Sequence, residues 1–185
     1  DPADIPPLTE EEHDANLEEI RAFLQDEMEL NNAASAAILA NMERESGLNP
    51  RAISPDRNFY GLCQWSRMRW VGFHGFCREN GLASTQLRSQ LLFMQHELEE
   101  TYPDLLEYVL GCAVDTFEGS LNAQYYFCLN FEAPLLLEEE QENAAIDMNI
   151  SMVAEDLAEI LDKSVEEVLP GHLCACHRVR EINDL

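Results

Sequence analysis

The segment NMERESGLNPRAISPDRNFYGLCQW, residues 41–65, is where the chain changes character. Upstream, an alanine-rich helical run from about Ala33 leads into Glu45 and Ser46, and Gly47 suits the C-terminal cap of that helix. Downstream, residues 48–65 lose helical periodicity and include Pro50 and Pro55. They read as a loop or short hairpin, with a minor strand pair near Phe59–Leu62. Glu45 therefore sits at the end of a helix, facing an arginine-studded loop. Carbonyl groups at a helix C-terminus carry partial negative charge, which favours a neutral carboxylic acid over a carboxylate. Partial burial against Leu48, Tyr60 or Trp65 acts in the same direction, whereas Arg44 and the loop arginines act in the other. A protonated carboxyl is what glycosidic bond cleavage requires, because the leaving oxygen must receive a proton.

Outward from this segment the pattern is helical throughout. Thr9-x-x-Glu12 forms a capping box, and Leu17, Ile20, Leu24 and Met28 recur at helical spacing behind it. A third helix is expected over Ser66 to Asn80, stopping at Gly81, and a fourth over Thr85 to Glu100, before Tyr102-Pro103. A short fifth covers Asp104 to Leu110. Asp115-x-x-Glu118 suggests the cap of a sixth, running to Glu132 ahead of Pro134. The tail adds Ser151 to Leu161 and a last turn capped by Ser164-x-x-Glu167.

The chain has 185 residues and a net charge of −25, yet 46% of its residues are hydrophobic, enough for a sizeable core. The charge is unevenly placed. Residues 1–32 carry eleven acids against one arginine, and residues 135–185 carry thirteen acids against three bases. Residues 44–78 instead hold six arginines against Glu45 and Asp56. Acidic flanks exclude nucleic acid as their partner, because phosphate neutralisation needs clustered bases. The arginine-rich middle permits an anionic or polar polymer. No apolar run is long enough to span a bilayer. No signal-peptide pattern is visible, and DPADIPPLTEEEHDA reads as a linker, as in a fragment or a mature form.

Cys63, Cys77, Cys112 and Cys128 lie in apolar contexts and read as small buried hydrophobes. One or two disulfides among them would suit an exported protein, with the pairing open. In the tail, residues 153–169 have the rhythm of a helix-turn-helix, but they are dense in acids with Lys163 the only base. They read as an amphipathic helical pair. HLCACH, residues 172–177, lacks the spacing of a zinc knuckle. Asn149-Ile-Ser matches a glycosylation acceptor and carries no weight here.

Glu45-Ser-Gly-Leu-Asn-Pro followed by Tyr60-Gly-Leu-Cys-Gln-Trp resembles the phage tail lysozyme family. More distantly it resembles the soluble lytic transglycosylases and goose-type lysozymes, whose motif pairs Glu-Ser with Gly-Leu-x-Gln. FCRENGL (76–82), SQLLFMQHELEETYP (89–103) and YYFCLNFEAP (125–134) look like the later helices of that family, in the same order. The resemblance spans residues 31–134. It implies a mostly α, lysozyme-like helical domain with at most a minor β-hairpin. An acidic linker and helix (1–30) and an acidic helical extension (135–185) would flank it.

The implied activity is cleavage of the β-1,4 bond between N-acetylmuramic acid and N-acetylglucosamine in peptidoglycan. Glu45 matches the general acid, and Ser46 the serine that supports it or touches the sugar. Gln64 matches a residue lining the glycan groove, and Tyr60 and Trp65 would offer ring faces to sugars. Asp56 and Glu97 are the candidates for a second carboxylate, which a paired mechanism needs about 5 Å away for retention or roughly 6.5–9.5 Å away for inversion. A lytic transglycosylase would need one glutamate, with the substrate's N-acetyl group assisting, and would give anhydro-sugar products. A non-catalytic glycan-binding or structural module is another alternative, and a regulatory or partner-binding protein whose acidic flanks are the active surface is a third. No cofactor and no metal are implied. The partners implied are peptidoglycan strands and other components of a phage tail or of a secretion or conjugation machine. The setting is extracellular, cell-wall-facing or virion-associated, and the acidic chain fits a tethered module better than a free antibacterial enzyme.

Overall fold

Thr9 starts the first helix as its sequence predicts. In α1 (Glu10–Ala22) the Thr9 hydroxyl accepts from the Glu12 amide at 3.2 Å, and the Thr9 amide donates to the Glu12 carboxylate at 2.9 Å. The structure is a computed structural model and describes residues 5–111, 116–132 and 154–163. α1 does not continue at regular pitch to Met28. Residues Phe23–Glu27 form a π-helical turn closed by Met28 N–H to Phe23 C=O at 3.0 Å. The wider turn lets Ile20, Phe23 and Leu24 all point inward.

Asn31 caps α2 (Asn32–Ser46), accepting from the Ala34 amide at 2.8 Å, and Gly47 ends it in the left-handed conformation at φ 58°. α2 is short of large side chains because other helices cover most of its circumference. Ile38, Leu39 and Met42 enter the main core. Ala37 meets Ala123 of α6 (Phe117–Phe127). Ala36 and Ala40 meet Phe117, Ala154 and Leu157, the last two on helix α7 (154–160). Between α2 and α6, buried Asn41 donates to the Gln124 backbone carbonyl at 3.2 Å and accepts from the Gln124 amide at 3.1 Å. This pair fixes the register of the two helices without leaving a buried polar group unmade.

The middle of the chain supplies β1 (Phe59–Tyr60) and β2 (Trp65–Ser66), antiparallel with Tyr60 opposite Trp65. Then come α3 (Arg67–Asn80), α4 (Leu87–Glu100) and α5 (Pro103–Gly111). The fold is mostly α, with this small hairpin as the sheet among the described residues. α6 is capped by Thr116, which accepts from the Gly119 amide at 3.1 Å; Asp115, the cap expected from sequence, lies outside the described residues. It passes into a second π turn, Cys128–Glu132.

Ile20, Phe23 and Leu24 share one core with Ile38, Met42, Trp65, Phe73, Leu91 and Phe127. A domain boundary at residue 30 would cut through that core, so α1 is integral to the structure. Asn149, Ser164 and the 172–177 cluster lie outside the described residues. Cys63, Cys77 and Cys128 are buried thiols rather than disulfides, and burial raises the Cys77 thiol above its usual range. No described helix is long and apolar enough to cross a membrane.

α7 carries an electrostatic cost. Asp156 Oδ2 is shut off from solvent and has no hydrogen-bond partner among the described residues. Burial, then the negative charges of Glu43, Glu159 and Glu155, push the Asp156 carboxyl up to about 8. Nearby, the Glu43 carboxylate pairs with His13 Nε2 at 3.1 Å, and Glu159 lies 3.7 Å from Arg21. A folded-state pKa above the unfolded value makes the folded form relatively most stable at low pH, and that advantage fades as pH rises toward 8. Asp156→Asn is therefore expected to raise the melting temperature at pH 9, with a gain that shrinks toward pH 4. Calorimetry across that range checks it, and a gain independent of pH would assign the effect to something other than charge.

Candidate active site

Glu45 lies in the last turn of α2 with its side chain 25% exposed. Its Oε1 accepts from Arg44 Nη2 at 3.1 Å. The same Arg44 nitrogen reaches Cys128 Sγ at 3.1 Å, on the π turn that follows α6. The carboxyl is thus steadied at one oxygen while remaining in partial contact with solvent. Ser46 turns its hydroxyl back to the Met42 carbonyl at 3.0 Å, half-buried beside the acid.

The loop after Glu45 is held from two sides. Asn16 of α1 donates to the Leu48 carbonyl at 2.9 Å. Gln90, buried on α4, donates to the Pro50 carbonyl at 2.8 Å and accepts from the Leu62 amide at 2.9 Å. One side-chain amide therefore ties together the two ends of the loop. Neither Asn16 nor Gln90 stands out in sequence, because each acts on backbone more than two dozen residues away.

The Gly-Leu-Cys-Gln motif has a structural logic of its own. Leu62 and Cys63 are buried, and Gly61 has φ 73°. A Cβ on Gly61 would lie 2.6 Å from Gln90 Oε1 and 2.8 Å from the Trp70 ring. Gln64 is also left-handed, at φ 44°, and its side-chain amide donates to the Gly61 carbonyl at 3.0 Å. The sequence assigned Gln64 to the glycan groove; here it is half-buried and closes this tight turn. Gly61→Ala is expected to cost about 1–3 kcal/mol, since both backbone conformation and contact distance oppose it. Urea unfolding measures this, and an undiminished midpoint would mean that Gln90 and Trp70 yield freely.

The aromatic residues divide. Trp65 is 0% exposed, with Trp70, Phe73 and Phe93 around it at 5.7 to 6.4 Å between ring centroids. No face of Trp65 is open to a sugar ring, which corrects the expectation from sequence. Tyr60 is half-buried, stacked on Trp70 at 5.7 Å, and its hydroxyl donates to the Arg57 carbonyl at 2.5 Å.

The two further carboxylates have different surroundings. Glu97 is buried at 8% exposure, and its oxygens accept from Arg69 Nε at 2.9 Å, Arg69 Nη2 at 2.8 Å and Trp65 Nε1 at 2.7 Å. Arg69 also donates to the Phe131 carbonyl at 2.8 Å and lies over the Phe131 ring at 4.5 Å. Burial alone would lower the Arg69 pKa, but Glu97's hydrogen bonds and charge outweigh it and raise it. Glu97 is committed to tying α3, α4 and β2 together. Asp56 is exposed in the loop, where it accepts from Ser54 Oγ at 2.5 Å and from Asn58 Nδ2 at 2.9 Å. Those bonds to Ser54, then Asn58, hold its pKa below the usual carboxylate range. Such an acid is suited to the ionised form.

Glu45, Arg44 and Cys128 therefore meet at one place, with Ser46 next to the acid in the chain, and the 48–65 loop leads from the acid to Tyr60 and Gln64 in the hairpin. Arg44 and Cys128 were not singled out in sequence as site residues. No group of three or more His, Cys, Asp or Glu side chains able to hold a metal occurs among the described residues. The profile of the phage tail lysozyme family matches residues 15–148. No curated protein sequence matches the chain.

Proposed function

We propose, from the premise that the chain belongs to the phage tail lysozyme family, that it cuts the β-1,4 bond between N-acetylmuramic acid and N-acetylglucosamine, with Glu45 as general acid. The family carries with it a peptidoglycan-lytic, lysozyme-like activity in a phage tail or cell-wall setting. The observation that supports the finer reading is the Glu45 carboxyl itself: partly exposed at a helix terminus and, among the described residues, hydrogen-bonded through Oε1 to Arg44. In the step proposed, Glu45 passes its proton to the bridging oxygen as the bond to the sugar C1 breaks. Positive charge then develops on the ring.

Glu97 is engaged by Arg69 and Trp65, which favours a reaction that does not recruit it. Asp56 is the candidate second carboxylate that remains exposed and ionised. With no further protein carboxylate, the substrate's own N-acetyl group would assist. Exposed or half-buried polar groups of the loop, with the Tyr60 ring, would line the path of the glycan.

Clearing of purified peptidoglycan, followed by mass spectrometry of the fragments, tests this reading. Reducing muramic acid ends identify a hydrolase, and anhydro ends identify a lytic transglycosylase. Intact strands that nevertheless retain the protein would mean a glycan-binding module and would overturn the assignment.

A further inference from the structure

We propose that Arg44 is a positioning residue for the Glu45 acid, holding Oε1 so that the transferable proton resides on Oε2. This rests on the reading of Glu45 as the general acid. Two contacts and one difference in exposure carry it: Arg44 Nη2 to Glu45 Oε1 at 3.1 Å, Arg44 Nη2 to Cys128 Sγ at 3.1 Å, and the low exposure of the Arg44 side chain, 15% against 25% for Glu45.

A guanidinium has donors and no acceptor, so the oxygen facing it must be the one without the proton. Oε2 is left to carry the hydrogen. When it reacts, the Oε2–H bond breaks, a new O–H bond forms on the leaving glycosidic oxygen, and the C1–O electron pair moves to that oxygen. Glu45 ends as a carboxylate, still hydrogen-bonded to Arg44 through Oε1. The interaction strengthens as the negative charge develops, so it favours the transition state over the ground state. Cys128 matters because α2 alone does not fix a long arginine side chain. The Cys128 sulfur, brought by the π turn after α6, accepts from the same Nη2 that holds Glu45 Oε1 and so gives that nitrogen a second anchor.

A double-mutant experiment tests the proposal, with soluble glycan strands from purified peptidoglycan as probe and the melting temperature of every variant recorded. Arg44→Met is expected to lower kcat by about tenfold with KM within about twofold, the signature of misplacement rather than lost binding. Arg44→Gln, which keeps polarity but cannot reach Glu45 and Cys128 at once, is expected to behave alike. Arg44→Lys keeps the stem and the charge and is expected to recover to within about threefold of the parent. In a Glu45→Gln background, Arg44→Met should change the residual rate by less than about twofold, because there is no proton left to place. Equal fold-losses in both backgrounds, or a loss confined to KM, would overturn the positioning role while leaving Glu45 as the acid. Failure of both Arg44→Met and Arg44→Gln to fold would also overturn it, making Arg44 a structural residue. A Glu45→Gln single variant with undiminished rate would overturn the general-acid reading and this inference together.

Discussion

Glu45→Gln is expected to lower the cleavage rate by about 10²–10⁴, the usual contribution of a placed proton donor, while leaving the fold and glycan binding in place. The amide has the size of the carboxyl, and its oxygen can accept from Arg44 Nη2 as Glu45 Oε1 does now, at 3.1 Å. Nothing that ends α2 changes either, because Gly47 supplies the cap and its amide bonds the Glu43 carbonyl at 2.8 Å. What is lost is an acidic proton. Initial rates on purified peptidoglycan, a co-sedimentation assay with the same material and a melting curve measure the three quantities separately. Wild-type cleavage by the variant would remove Glu45 from the chemistry. A collapsed melting temperature would instead make the helix terminus depend on the carboxyl.

The second large effect concerns stability. Glu97→Ala is expected to destabilise the protein by about 3–5 kcal/mol, because it strands a buried cation. The Arg69 guanidinium would keep its bond to the Phe131 carbonyl but lose two to Glu97, and the Trp65 indole N–H would lose its acceptor. Removing both charges in an Arg69→Met, Glu97→Leu double variant should be milder than Glu97→Ala alone, since no unpaired charge remains. Chemical unfolding of the three proteins decides the matter. A loss below about 1 kcal/mol for Glu97→Ala would mean that the pair is solvated in solution and not structural. Glu97→Gln adds a functional control. If the folded variant lost activity as completely as Glu45→Gln, Glu97 would be the second carboxylate after all.

Local signals in the sequence located the helices well, because the groups that make them lie within a few residues of one another. The Thr9 and Glu12 box, the stops at Gly47 and Gly81 and the loop after Leu48 all have local causes. Two kinds of feature escaped. The π turns at Phe23–Glu27 and Cys128–Glu132 insert an extra residue per turn, which a 3.6-residue pattern reads as continued helix. Contacts across the chain escaped as well. Trp65 is a plausible sugar platform until Trp70, Phe73 and Phe93 are seen around it. Gln90 looks like one polar residue on a helix until both ends of the loop are found bonded to it. The motif showed where Glu45 stands, and only the fold brings Cys128 to its neighbour Arg44. The sequence set residues 1–30 apart as an acidic linker and helix flanking the domain, whereas α1 places Ile20, Phe23 and Leu24 in the common core and bonds Asn16 to the loop that follows the acid.

Alanines 36 and 40 pack against Ala154 and Leu157 of α7 and against Phe117 at the start of α6, whereas Ala37, one residue away, meets Ala123 in the body of α6. The bearer of the acid is thus sheathed by layers of unequal grip, and added bulk will dislodge the weaker layer first. Ala36→Val would act as a wedge beneath α7 and against Phe117, prying at α7 while the Asn41–Gln124 clasp still holds the body of α6. Amide hydrogen exchange would register this as early labelling confined to 154–160. Residue 36 is in that sense a handle by which an engineer can loosen one wall of the molecule and leave the wall that carries Glu45 standing.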